Sequence, residues 1–332
     1  MKRASICILL CVCLIQISVV SASAAASSAL VPVGQAVGLE LESDGLYLVR
    51  LDEQHPAARD AGLKVGDRIL TVNGSKVRHV EELREIIRRN PGDRLIVDVD
   101  RASKAMSFTI LPVLSEEGWV IGASLQERVS GLGTLTYYDP ESGRFGALGH
   151  GVTSCGVGSL MKISGGTLRK ARVTAVEKGL PGKPGSLKGA AVGQPLGGID
   201  RNTSQGVFGT AEAIRQTGDA IPVASHEEVT VGPAEIWSTV GEGSMEHFQI
   251  RIEALTFDSE RDRNLLISVT DPALLEKTGG IVQGMSGSPI VQNGKLVGAV
   301  THVLVQDPSK GYGIFIENML ESSPEADFSK AA

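Results

Sequence analysis

Aromatic residues make up only 4% of this 332-residue chain, and three of its four cysteines, Cys7, Cys11 and Cys13, crowd into the extreme N-terminus. Cys155 is therefore the only cysteine of the remainder, which rules out an internal disulfide and any paired-cysteine zinc spacing there. Nothing in the sequence around Cys155 marks an activated thiolate. A dense Lys/Arg stripe is also missing. With 32 basic against 38 acidic residues and a net charge of −6, the chain lacks the field a nucleic-acid backbone requires, so nucleic acid is not an expected partner. With so few aromatics, the core must be filled by Val, Ile and Leu. The 40 glycines imply many tight turns, so a mainly β chain is expected. No residue pattern calls for a metal or a cofactor.

The leader, "MKRASICILLCVCLIQISVVSASAAASSA", opens with Lys2 and Arg3, continues with an uncharged apolar run from Ile6 to Val20, and ends in small residues. That is the layout of an export signal, with Ala22-Ser23-Ala24 as one cleavage site. Left uncut, an apolar run of about this length lies at the lower limit for a spanning helix. Residues 1–28 are thus expected to be a signal peptide or a membrane anchor, with the rest exported. The length leaves room for two domains beyond it.

From about Val33 to Val113 the pattern is self-consistent. "GLYLVRL" and "RLIVDVD" read as strands, "PAARDAG" as a short helix from Pro56, and "HVEELREIIRRN" as an amphipathic helix with Val80, Leu83, Ile86 and Ile87 on one face. In "AGLKVGDRILTVNGSKV", Gly62 ends the short helix, Gly66-Asp67 turns the chain, and Asn73-Gly74 turns it again. These residues resemble a PDZ domain. The resemblance implies that an extended peptide adds as a strand beside a helix, with its carboxylate held by a loop. Gly38 and Leu39, within Val37-Gly38-Leu39-Glu40, are the expected loop, and Leu83 and Ile87 the expected groove lining. The plainer reading makes Leu83 and Ile87 core residues.

From 118 to 320 short apolar runs alternate with Gly, Pro, Asn and Asp, which predicts many short strands in a sandwich or a barrel pair. Helix signal is limited to "PALLEK" and the C-terminal end. The stretch "KGLPGKPGSLKG" reads as an exposed loop, and residues 321–332 as a flexible tail.

Within this half, "GMSGSP" surrounds Ser286 with small residues. The α/β-hydrolase elbow would need Gly at 288 and a strand-to-helix turn, but Ser288 is there and strand-like residues follow. The pattern is instead similar to the serine loop of chymotrypsin-like peptidases, in which the N–H groups of Gly284 and Ser286 would converge on an oxyanion. A serine needs a base. His150, flanked by Gly149 and Gly151, is better placed than His302, which lies on a core-facing strand. The acid that orients the base could be Asp271, which could also cap a helix begun by Pro272, or Asp200, 50 residues after His150. Spacing alone leaves both open.

Three longer stretches carry more: "GLGTLTYYDPESGRFGALGHG", "TDPALLEKTGGIVQGMSGSPIVQNGKLVGAVTHV" and "DPSKGYGIFIENML". They resemble the stage IV sporulation protein B family of serine peptidases, which also places an apolar N-terminus and a PDZ domain before the peptidase. The resemblance implies a chymotrypsin-like double β-barrel and a His150–Asp271–Ser286 triad. It further implies an exported, self-processing endopeptidase acting during endospore formation. Such an enzyme cleaves a membrane-bound regulator and so frees an intramembrane metalloprotease that activates a late sigma factor. Its partners would be protein substrates, itself included, and peptides at the PDZ groove. An HtrA-like quality-control protease shares both domain types in the opposite order. An inert peptide-binding scaffold is the reading from another class.

Overall fold

The computed structural model describes residues 29–154, 158–211, 214, 218–257 and 262–323. The leader, Cys155 and residues 324–332 of the expected tail lie outside them. Two β-barrels and a PDZ unit account for nearly all the described chain, so the mainly β expectation holds.

The second barrel is contiguous in sequence. Strands Gly232–Ser238, Glu246–Leu255, Leu265–Val269, Lys310–Phe315, Lys295–Val303 and Pro289–Gln292 pair in that order and close. Period-two alternation directs one face inward: along Glu246–Leu255, Phe248, Ile250 and Ile252 are buried. The Asn293-Gly294 dipeptide makes the expected two-residue hairpin, with both φ values positive at 53° and 75°.

The first barrel is assembled differently. Strand Ala123–Tyr138 pairs with Arg144–Ala147, which pairs with Gly206–Thr210. The latter continues through Ser186–Thr203 to Ile163–Glu177. The ring closes only because Ala36–Leu51 lies between Ile163–Glu177 and Ala123–Tyr138. The chain therefore gives one strand to this barrel, leaves to build the PDZ unit, and returns. The expected division into a PDZ domain at 33–113 and a peptidase at 118–320 shifts accordingly. Val33, Val37, Leu39 and Leu41 pack with Leu135, Phe145 and Leu168 in the first-barrel core, whereas the PDZ core begins at Leu46. The handover is a register shift between Glu42 and Tyr47 within one 16-residue strand, where Gly45 takes φ 118°.

Three strands of this barrel, Ala123–Tyr138, Ile163–Glu177 and Ser186–Thr203, are 15 to 18 residues long, so the expectation of short strands fails here. Their Gly and Pro residues do not end them. They mark bulges instead, as between Leu168 and Lys170 opposite Pro195.

The PDZ unit has the predicted helices, Ala57–Asp60 and Val80–Arg89, and strands Arg68–Val72, Leu95–Arg101 and Lys104–Ile110. Its Gly66-Asp67 turn is held by the fully buried Asp67, which accepts from the Lys64 N–H and pairs with Arg101. The groove assignment does not survive. Gly38 and Leu39 sit in a first-barrel strand, with their backbones in the ladder opposite Arg169 and Leu168. Leu83 and Ile87 are 3% and 5% exposed, in one core with Leu46, Ile69 and Ile121. An apolar face at i, i+4 spacing looks the same whether it lines a groove or a core. The strand edge at Tyr47–Leu51, where a peptide could add, is occupied by the chain's own Ala123–Gln126. Glu127, next in line, accepts from the Val80 N–H at the helix start.

The "KGLPGKPGSLKG" loop is exposed at Leu180, yet it is fastened at Gly179, whose N–H donates to Thr278 O at the end of helix Pro272–Thr278.

Candidate active site

Ser286 lies on the connection between helix Pro272–Thr278 and the hairpin that starts at Pro289. Two glycines make the connection possible. Gly284 takes φ 101°, a region open to glycine. Gly287, at φ 93°, lies so close to the first barrel that a Cβ would stand 2.1 Å from Thr134 O and 2.5 Å from Leu148 N. The two barrels thus meet backbone to backbone at the serine loop.

Thr134, 1% exposed on first-barrel strand Ala123–Tyr138, fastens that loop twice. Its N–H donates to Ser286 O at 2.9 Å and its hydroxyl to Gly284 O at 2.9 Å. From the other side, the buried Ser288 hydroxyl donates to that of Ser238 at 3.0 Å. With its carbonyls held, the loop leaves two donors unused: among the described residues, the Gly284 and Ser286 N–H groups have no acceptor. Both residues line a cleft of about 320 Å³ together with His150, Leu39, Leu132 and Leu148. An unsatisfied pair of amides facing a largely apolar cleft is what an oxyanion hole requires.

His150 reaches the same cleft from the first barrel. It follows Leu148 and Gly149, both at φ 70°. A left-handed leucine is costly by ordinary backbone sterics, and such strain concentrates at functional sites. His150 Nδ1 is 3.0 Å from Gly151 O, so a proton on Nδ1 donates to that carbonyl. Nε2 then carries the lone pair, which is the tautomer a general base needs. Ser286 Oγ donates to Thr301 O at 2.8 Å. To attack a substrate, the hydroxyl must exchange that carbonyl for the imidazole.

The two sequence-level acids sit elsewhere. Asp271 caps its helix as Pro272 suggests: Oδ1 accepts from the Ala273 and Leu274 N–H groups at 2.9 and 3.2 Å, and Oδ2 from the Gln249 N–H at 3.2 Å. Among the described residues, no hydrogen bond joins it to His150. Asp200 pairs with Arg144 at 3.0 Å.

Beside His150 lies His302, which the sequence reading set aside as a core-facing strand residue, and beside His302 lies Asp262, which it did not single out. The His302 ring is 4.9 Å from that of His150, centroid to centroid, tilted by 40°. Asp262 Oδ2 lies 3.7 Å from His302 Nδ1. Burial, and then the proximity of His150, holds His302 below the usual imidazole range. The strand position of His302 after "KLVGAV" was legible, but its approach to His150 was not, because it depends on how two barrels pack.

A serine loop with two free amides and a histidine across an inter-barrel cleft, in a chain that carries a PDZ unit, defines a PDZ-containing serine peptidase. The family comparison goes further. The family model for SpoIVB peptidase S55 matches residues 117–320, more than half of the chain, and a PDZ model matches residues 49–101. The chain belongs to the SpoIVB peptidase S55 family.

Curated relatives match only locally. Protease RseP of Yersinia pestis is 41% identical over 56 residues, covering 17% of this chain and 12% of that protein. Zinc metalloprotease RasP of Geobacillus kaustophilus is 35% identical over 92 residues, covering 25% and 22%. The chain therefore spans less than a quarter of either relative's length. Among solved structures, the PDZ domain of the SdrC-like protein of Listeria monocytogenes matches with 25% identity and a TM-score of 0.23, covering 25% of this chain and 87% of that one. The Rv3671c protease of M. tuberculosis matches in its active form with 16% identity and a TM-score of 0.35, covering 58% and 73%.

Proposed function

We propose that this chain is an exported, self-processing serine endopeptidase whose substrate is a membrane-associated regulator in a sporulation pathway, where cleavage leads to intramembrane activation of a late sigma factor. Ser286 is the nucleophile and His150 the base. Oγ attacks a peptide carbonyl, and the proton it loses passes to His150 Nε2. The tetrahedral oxyanion is met by the Gly284 and Ser286 N–H groups. As the intermediate collapses, His150 returns the proton to the leaving amine. Losing one such oxyanion donor typically costs about 2.7 to 4 kcal/mol of barrier.

One observation carries the reading: two unsatisfied amides and His150 share the Ser286 cleft. The cellular role is supported by membership of the SpoIVB family and by the apolar leader with its small-residue boundary. The test is to express the parent chain and Ser286→Ala in a sporulating host and follow N-terminal processing and exported protein. The parent is expected to trim itself outside the cytoplasm and Ser286→Ala to stay full length. Identical fragments from two folded proteins would sink self-processing.

A further inference from the structure

The "KGLPGKPGSLKG" stretch takes no part in the Ser286–His150 chemistry, yet its backbone reaches the serine loop. We propose that the first-barrel arm carrying it is a latch for the oxyanion hole, in which Leu187 and Gly185 fix the direction of the Gly284 N–H. This rests on the Ser286–His150 reading and adds positioning residues to it.

Strand Ile163–Glu177 pairs with the borrowed strand as far as Lys170, and from Ala171 onward its ladder is with Ser186–Thr203. The two strands form an arm whose connection, residues 178–185, meets the second barrel. There the Gly179 N–H donates to Thr278 O and the Gly182 N–H to Val305 O, both at 2.8 Å. At the neck of the arm, Gln283, the residue before Gly284, is gripped by both of its backbone groups. Its N–H donates to Gly185 O at 2.9 Å, and its carbonyl accepts from the Leu187 N–H at 2.8 Å, in a parallel bridge with Ser186.

The bond from Leu187 matters most. The Gln283 carbonyl and the Gly284 N–H belong to one planar trans peptide, so they point in opposite directions. With the carbonyl held by the arm, the N–H is turned away from the arm and toward the cleft that Gly284 lines. Nothing in Gly284 itself would keep it there: at φ 101° a glycine can adopt either sign of φ at little cost, so the peptide before it is easily rotated. Rotation would take away one oxyanion donor and present a carbonyl dipole in its place. The Leu187 side chain backs the glycine directly, since a Cβ on Gly284 would stand 3.0 Å from Leu187 Cβ. Thr134 already holds Gly284 O, so the first barrel fixes the peptides on both sides of a residue that belongs to the second.

The arm divides into a buried neck and an exposed tip. Gly179, Gly185 and Leu187 are buried, whereas Leu180, Pro181, Gly182 and Lys183 are exposed. Gly185 leaves no room for a side chain: a Cβ would stand 2.3 Å from Glu177 O and 2.4 Å from Gly179 N. Glu177 also pairs with Lys183 at 3.0 Å and Lys188 at 3.5 Å. Those pairs are solvent-exposed and contribute little, so the backbone bonds of the neck carry the latch.

The test uses the full chain and an alkyl fluorophosphonate, whose labelling of Ser286 is resolved into KI and kinact from about pH 5 to 9. Placing the α-hydroxy analogue of leucine at position 187 by nonsense suppression exchanges the N–H for an ester oxygen and keeps the side chain. This variant leaves Gln283 O without its donor, and kinact is expected to fall at least about tenfold, with KI and the acid limb set by His150 unchanged. Gly185→Ala displaces the neck from the other side and should show the same split. Lys183→Ala, at the exposed tip, should label within about threefold of the parent. The hole itself is read in a cinnamoyl acyl-enzyme on Ser286 by isotope-edited infrared spectroscopy, where the carbonyl stretch should lie higher in the ester variant than in the parent. Parent values of kinact and carbonyl frequency in the folded ester variant would overturn the proposal, as would a loss carried by KI or by a moved acid limb. Because kinact is read on labelled molecules alone, a partly folded variant still decides the question, and Gly185→Ala gives the same readouts should the ester fail to fold. A parent chain that is not labelled on Ser286 would instead remove the underlying serine-peptidase assignment.

Discussion

The two barrels solve the same closure problem with different sequences. The second is one continuous run, with short strands and a two-residue turn in the serine hairpin. The first uses long, bulged strands and borrows residues 36–43 from beyond the PDZ unit. The second barrel carries Ser286, the proposed nucleophile, and the Gly284 and Ser286 amides on the connection that leads into its Pro289 hairpin. The first carries His150, the proposed base, and Thr134, which fixes the serine loop. A catalytic centre divided this way depends on the interface, so changes at the interface should matter more than changes within either barrel.

The largest effect should come from the borrowed strand. A fragment limited to residues 117–320 lacks Val37, Leu39 and Leu41 from the core and leaves two strand edges open, and an unpaired edge invites aggregation. It is expected to show no cooperative thermal unfolding, while residues 29–323 unfold cooperatively. Cooperative unfolding of both would show that the barrel does not need the strand. Next, Gly287→Ala drives a methyl group into Thr134 O and Leu148 N. A displacement on the order of 1 Å at a nucleophile costs about 10² in rate, so labelling should fall by about that factor. Thr134→Val removes the hydroxyl from Gly284 O but keeps the N–H bond to Ser286 O. One lost hydrogen bond of about 1 kcal/mol predicts roughly a fivefold loss, read as labelling rate with unfolding temperature as control.

The smallest effect is on stability. The folded pKa of His302 is depressed by burial, so between that value and the unfolded value of about 6.5 the unfolded chain binds more protons. Its contribution is present above about pH 6.5 and is lost as pH falls through that window. Denaturant unfolding of the parent should show this slope, and His302→Gln should flatten it.

Legibility in the sequence followed the same division. The serine loop, the Asn293-Gly294 hairpin, the Asp271 cap and the PDZ turns were readable because each is set by neighbours within a few residues. The borrowed strand was not, since "AVGLELESDGLYLVRL" alternates without a break and nothing local says that its halves enter different cores. His302 read as an ordinary strand residue for a related reason. Its approach to His150 joins positions 152 apart through a barrel interface, a separation no local pattern encodes. The PDZ groove failed because a strand from the same chain occupies the edge where a peptide was expected.

The central claim is that one cleft, built by both barrels, activates Ser286. The direct measurement is peptide mapping of the parent chain after limited fluorophosphonate labelling, alongside Ser286→Ala and His150→Ala. The expected result is one adduct, on Ser286, absent from Ser286→Ala and slowed at least about a thousandfold in His150→Ala. An adduct on another serine, or parent-rate labelling in folded His150→Ala, would contradict the account.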